Sequence, residues 1–240
     1  MKKIATVLFA LSVGCLAASS RVAAQVVKGF FHAMEISAAG GATVVRDNGF
    51  GERLFKGSGG LITYEVSPRE YYSVGIGLSH RLSDKSDLTL AVSVEQLGFI
   101  TRTKAIGDED VFSDKGIDQN RYVVGQVRLN QIIYRRWGLS ATVGYASFLN
   151  SKRTYFSLRN DSITGSSVVF TRDSQHFSNF DINFTLGITY SVPLADRHQL
   201  KIFLQARHGV NDILKANDLA IRALIPSLGV SYQRKLKKRI

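Results

Sequence analysis

Residues 175–192 read QHFSNFDINFTLGITYSV. From Phe180 onward every second residue is apolar: Phe180, Ile182, Phe184, Leu186, Ile188, Tyr190 and Val192. Between them stand Asp181, Asn183, Thr185, Gly187, Thr189 and Ser191. Successive side chains of a β-strand point to opposite faces, so this stretch is a strand with one apolar and one polar side. The fold turns on what lies against the apolar side, a protein core or lipid.

The same pattern recurs along the chain, and helical periodicity is hard to find. Seven more strands are read: 29–39, 70–82, 87–100, 120–134, 138–149, 198–210 and 223–236. Several keep alternating for about 11 residues or more, the length a tilted strand needs to cross a bilayer, whereas strands of soluble sheets run to about 5–6. The polar positions are mostly Ser, Thr, Gly, Asn and Gln, with few charges. A water-washed outer face would be richer in Lys and Glu. Residues 83–86, 135–137 and 193–197 make short connections, and 40–69, 101–119, 150–175 and 211–222 make long ones. Short and long alternate, as in barrels with short periplasmic turns and long outer loops. In lipid every backbone polar group must be bonded internally, which a sheet achieves only by closing. The expected fold is therefore all-β: an eight-stranded antiparallel up-and-down transmembrane barrel over residues 25–237 with a filled lumen. It would sit in the outer membrane of a Gram-negative bacterium with both termini periplasmic. Segment 57–66, GSGGLITYEV, is placed inside the first long connection as an extension or hairpin arm; ten strands is the alternative.

The N-terminus fits export. Lys2 and Lys3 precede an apolar run from Ile4 to Ala18, and Val22-Ala23-Ala24 offers a small-residue cleavage site, so residues 1–24 read as a cleaved signal peptide. A lipoprotein signal using Cys15 is the competing reading, disfavoured by the polar Ser12. Cys15 is the only cysteine, so the exported chain has no disulfide framework. The formal charge is +12, and removing Lys2, Lys3 and Arg21 leaves +9. In an exported protein this basicity points to anionic outer-membrane lipid and lipopolysaccharide, not nucleic acid. Residues 234–240 form a basic tail with five cations: Arg234, Lys235, Lys237, Lys238 and Arg239.

Strand parity assigns Glu35, Arg81, Glu95, Arg128, Asp181, Lys201 and Arg207 to the lumen. A barrel of eight strands is just wide enough inside for side chains to fill it, and unpaired buried charges are costly, so these groups are expected to pair. A narrow solute channel is the functional alternative. Tyr71, Tyr72, Phe99, Tyr122, Tyr134, Trp137, Phe148, Phe177, Phe180, Tyr190 and Tyr232 lie near strand ends, as interfacial belts require.

No Walker loop, HExxH or CxxC occurs, and no cofactor is implied. The five histidines are spread, so a His/Cys metal site is not expected. Asp108, Glu109, Asp110, Asp114 and Asp118 form an acidic stretch in the third-to-fourth connection; oxygen ligands could hold Ca²⁺, but the spacing is not that of an EF-hand. His176 and Ser178, in His-x-Ser-Asn, are the weak catalytic candidates. The motif resembles that of outer-membrane lipid A deacylases, but here 62 residues follow Ser178 and position 190, where an acid would fall, is tyrosine. Two residues along a strand stand about 6.7 Å apart, too far for a nucleophile–base bond without reorientation. The chain is read as non-enzymatic.

Ala206-Arg207-His208-Gly209-Val210-Asn211-Asp212-Ile213 resembles the signature closing the penultimate strand of the PorT-like outer-membrane barrels of Bacteroidetes-type bacteria, and Ser227-Leu228-Gly229-Val230-Ser231-Tyr232 resembles their last strand. The resemblance covers roughly residues 26–237 and implies a small outer-membrane barrel, with secretion-machinery or other envelope proteins as partners. The basic tail departs from the aromatic ending common in such barrels.

Overall fold

Long alternating segments form the strands here, and short polar connections form tight turns. The computed structural model describes residues 30–47, 55–57, 60–106, 111–159, 162–171, 180–210 and 221–236. They contain β1 (Ala33–Asp47), β2 (Phe55–Gly57), β3 (Gly60–Ser83), β4 (Ser86–Ile106), β5 (Val111–Tyr134), β6 (Trp137–Arg159), β7 (Ser162–Thr171), β8 (Phe180–Ala195), β9 (His198–Gly209) and β10 (Ile221–Lys235). Eight of these close a barrel in the order β1–β3–β4–β5–β6–β8–β9–β10, with β10 returning to β1 and all pairs antiparallel. β2 pairs only with the start of β3, and β7 only with the far half of β6. The molecule is thus an all-β, closed eight-stranded antiparallel barrel with two added strands. Both ends of the described chain, Phe30 and Leu236, lie at the short-turn end, where the Leu236 amide donates to the His32 carbonyl at 2.8 Å.

The strands outrun the lengths read from the sequence. Residues 101–106 and 111–119 continue β4 and β5, and β6 runs to Arg159 before pairing back with β7. Segment 57–66 is a hairpin arm: Phe55–Gly57 pairs with 60–62, which run on into β3. Past the apolar belt the outward positions carry Arg102, Lys115, Arg121 and Lys152, so hydropathy stops alternating while the pleat continues. Bulges between Pro68 and Tyr71 and at Arg121–Tyr122 mark this change.

The interior is layered. Toward the short turns it is polar: Ser79 and Thr89 share a hydrogen bond of 3.0 Å, and Asn130 and Gln233 donate to them. Toward the long end lies an apolar cluster of Tyr71, Leu97, Phe99, Tyr122, Val124 and Ile225, with Phe148 packed against it. Tyr71, Phe99 and Tyr122 therefore do not belong to an interfacial belt; they share the parity of the inward residues and are buried inside. Gly229 allows a close approach inside: a Cβ there would come within 2.3 Å of the Phe203 ring and 2.6 Å of the Ala38 carbonyl oxygen.

Candidate functional site

On β8 the odd-numbered residues 181–185 are buried and the even-numbered Phe180, Ile182, Phe184, Leu186 and Ile188 are exposed. Polar groups face in and apolar groups face out, the reverse of a soluble domain. The same holds for Val127 and Leu129 on β5, Ile202 and Leu204 on β9, and Leu228 and Val230 on β10. From Phe180 to Val192 the chain advances twelve residues. At about 3.4 Å per residue and a tilt near 40° that is about 31 Å along the barrel axis, against about 30 Å for a hydrocarbon core.

The inner wall brings six of the seven charges read from parity together. Arg207 on β9 reaches across the barrel to Glu95 on β4, and its Nη2 lies 3.5 Å from Asp181 Oδ2 on β8. Glu95 also accepts from Ser93 Oγ at 3.1 Å and Gln126 Nε2 at 3.5 Å. Arg128 on β5 donates to Glu35 on β1, and Lys201 lies within electrostatic reach of Glu35. Three carboxylates thus face three cations, all of them at least largely buried. Beside Arg128 and Arg207 remains a cavity of about 30 Å³, also lined by Tyr71, Asn183 and Phe203, room for one or two waters.

Arg81 is the exception. It is exposed at the short-turn rim, where the β3–β4 pairing slips between Arg81 and Ser83 at the turn, and it stands beside Asp87 instead of in the lumen. Asp87 receives His32, whose Nε2 is 3.4 Å away. Burial lowers the His32 pKa below its ordinary 6.5, Arg81 and Lys201 push the same way, and Asp87 only partly offsets them.

A further ion pair escapes sequence reading. Asp118, fully buried, accepts two hydrogen bonds from Arg153, at 2.5 Å from Nε and 2.9 Å from Nη2. Arg153 also donates to the Tyr155 hydroxyl at 3.1 Å. Burial opposes its charge, but the Asp118 carboxylate outweighs this and holds the guanidinium above its ordinary range. Asp114 and Asp118 lie on β5, not in a loop. Strand parity around the Arg121–Tyr122 bulge would have put Asp118 and Arg153 on the inner face. Nearby, fully buried Asn120 and Ser151 face each other across β5–β6 with polar atoms that have no hydrogen-bond partner among the described residues.

His176, Ser178, Phe177, Asp108, Glu109, Asp110, the signal segment and tail residues 237–240 lie outside the described residues. Among the described residues no group of three or more His, Cys, Asp or Glu is placed to hold a metal ion.

Compared with known protein families and with curated proteins, the chain gives no match. Solved structures do align with it. Neisserial surface protein A shares 11% identity, with 85% of this chain and 97% of that chain covered and a TM-score of 0.35. The attachment invasion locus protein Ail of Yersinia pestis shares 9%, covering 85% and 99%, at 0.34. The outer membrane protease OmpT of Escherichia coli shares 8%, covering 85% and 79%, at 0.40. At these scores the barrel rests on its own strand pairing, not on the likeness.

Proposed function

We propose that this chain is an integral outer-membrane β-barrel of a Gram-negative bacterium, non-enzymatic and with a closed lumen. Its strand ends above the membrane would serve as a docking wall for other envelope proteins. The observation that carries the reading is the pairing of an outward apolar belt of bilayer height with an interior whose charges neutralise one another. Neither feature suits a soluble protein, and the second suits a pore poorly, because ion pairs and the Tyr71–Tyr122 cluster occupy the bore. Above the belt β4, β5 and β6 continue for about ten residues as a sheet whose outer positions mix Arg102, Lys115, Arg121 and Lys152 with Ile117 and Phe156, a surface suited to macromolecules more than to acyl chains. The short turns at one end support periplasmic termini. The resemblance of 206–213 and 227–232 to PorT-like barrels supports an accessory role in protein secretion.

The mature protein should fractionate with outer membranes and require detergent for extraction. In planar bilayers it should give no steady conductance, and well-defined channel currents would overturn the closed lumen. Deleting the gene should alter the set of proteins secreted while leaving lipid A unchanged in mass. Loss of a lipid A acyl chain only when His176 and Ser178 are intact would replace this reading with an enzymatic one.

A further inference from the structure

We propose that the short-turn rim binds anionic phospholipid headgroups, with the Arg135–Arg136 turn at its centre; this rests on the membrane-barrel reading above. Arg135 has φ 48°, the one non-glycine residue with positive φ among the described residues. It is the first of the two central residues between Tyr134 and Trp137, where a tight hairpin turn with positive φ takes glycine. A long charged side chain at such a position runs against local preference, and an outlier of that kind points to function. Arg135 is exposed, and its guanidinium stands over the Tyr134 ring, 5.0 Å from the ring centre, a surface cation–π contact that holds it at the rim. Among the described residues neither Arg135 nor Arg136 has an ion-pair partner.

Depth gives the turn its ligand. The apolar belt ends here, at the exposed Ile133, Tyr134, Trp137 and Leu139. Trp137 and Tyr190 pack with ring centres 4.8 Å apart, an aromatic pair of the kind that sits at headgroup level. The arginines next to it are thereby held at the height of lipid phosphates. The backbone continues the patch around the rim. The Ser191 amide donates to the Arg136 carbonyl at 2.9 Å, and the Lys235 amide to the Arg197 carbonyl at 2.8 Å. Among the described residues, exposed Lys85, Arg135, Arg136, Arg197, Arg234 and Lys235 outnumber the rim acids Asp84, Asp87 and Asp196. Guanidinium groups donate two parallel hydrogen bonds to a phosphate, which suits a phosphodiester headgroup.

Trp137 is the only tryptophan of the chain and lies on this rim, so it reports on the lipids around it. The mature chain would be reconstituted in phosphatidylcholine bilayers containing either brominated phosphatidylglycerol or brominated phosphatidylcholine. A surface cation contributes about 1 kcal/mol toward an anionic lipid, roughly a fivefold preference, so brominated phosphatidylglycerol should quench Trp137 roughly three- to fivefold more strongly at equal mole fraction. The variant Arg135→Gly, Arg136→Ser gives the turn its preferred residues and should fold at least as well, with the preference falling clearly below that of the wild type while the other rim cations keep part of it. Equal quenching by the two lipids in the wild-type protein, or an unchanged preference in the variant, would overturn the proposal. Quenching by neither lipid would overturn the membrane reading and this one with it.

Discussion

Leu186 offers the most direct test of what surrounds the barrel. It is 69% exposed and stands six residues from Phe180 and six from Val192 on the outer face of β8. At about 3.4 Å per residue and a tilt near 40°, it lies about 16 Å from each edge of the belt, at the midplane of a bilayer. An arginine at that depth costs about 2–4 kcal/mol, and one near the interface about 0–1 kcal/mol. Leu194, equally open at 57% but at the β8–β9 turn, is the internal control. Leu186→Arg and Leu194→Arg would be unfolded with urea from phosphatidylcholine vesicles, with Trp137 emission as the signal. Leu186→Arg should lose about 2–4 kcal/mol and Leu194→Arg no more than about 1 kcal/mol. In a soluble domain both exposed positions would fall within about 0.5 kcal/mol of wild type. A near-neutral Leu186→Arg, or equal costs at the two depths, would refute the lipid-facing assignment.

Three further outcomes follow from the interior and the rim. Arg207→Gln takes the cation from Glu95 and should cost about 3–5 kcal/mol, whereas the double variant Arg207→Gln, Glu95→Gln should recover most of that loss in the same urea titration. Gly229→Ala drives a methyl group into the Phe203 ring and the Ala38 carbonyl, and should destabilise by about 1–3 kcal/mol; adding Phe203→Leu should relieve the part due to the ring. His32 is held below its ordinary pKa of 6.5, chiefly by burial, so the unfolded chain binds its proton first on acidification. The His32 contribution is then complete above pH 6.5 and is lost as the pH falls below it. Urea midpoints measured across that range should fall less steeply for His32→Gln than for wild type.

The barrel wall was legible in the sequence because lipid demands it. A bilayer forces every outward residue of β8 to be apolar over the full crossing, and that leaves an unbroken period of two. The extensions were not legible for the complementary reason: once the strands leave the belt, water accepts Arg102 and Arg121 as readily as Val92 and Val94. The tyrosines show where position along a strand misleads. Closeness to strand ends puts Tyr71 and Tyr122 in a belt, yet both share the parity of inward residues, and parity decides. Parity alone does not bury Arg81, which keeps its register with Asp87 but stands exposed at the short-turn rim. Which charges meet was unreadable in principle, because Arg207 and Glu95 are 112 residues apart and their encounter depends on barrel width and stagger.

The ion pairs also constrain the order in which the molecule can assemble. Arg128 and Glu35 sit three strands apart around the wall, and Arg207 and Glu95 four, on opposite sides of an eight-stranded ring. In a flat sheet four strand spacings are about 19 Å, so before closure these charges cannot reach one another. An open sheet would expose Glu35, Arg128 and Glu95 without these partners to whatever fills its concave side, and the β8–β9 hairpin could match only Arg207, through Asp181. Joining β1 to β10 discharges them together. The last seam to form is therefore also the step at which the cross-barrel pairs form, which makes completion of the barrel a cooperative event and a half-closed intermediate a poor resting state in lipid.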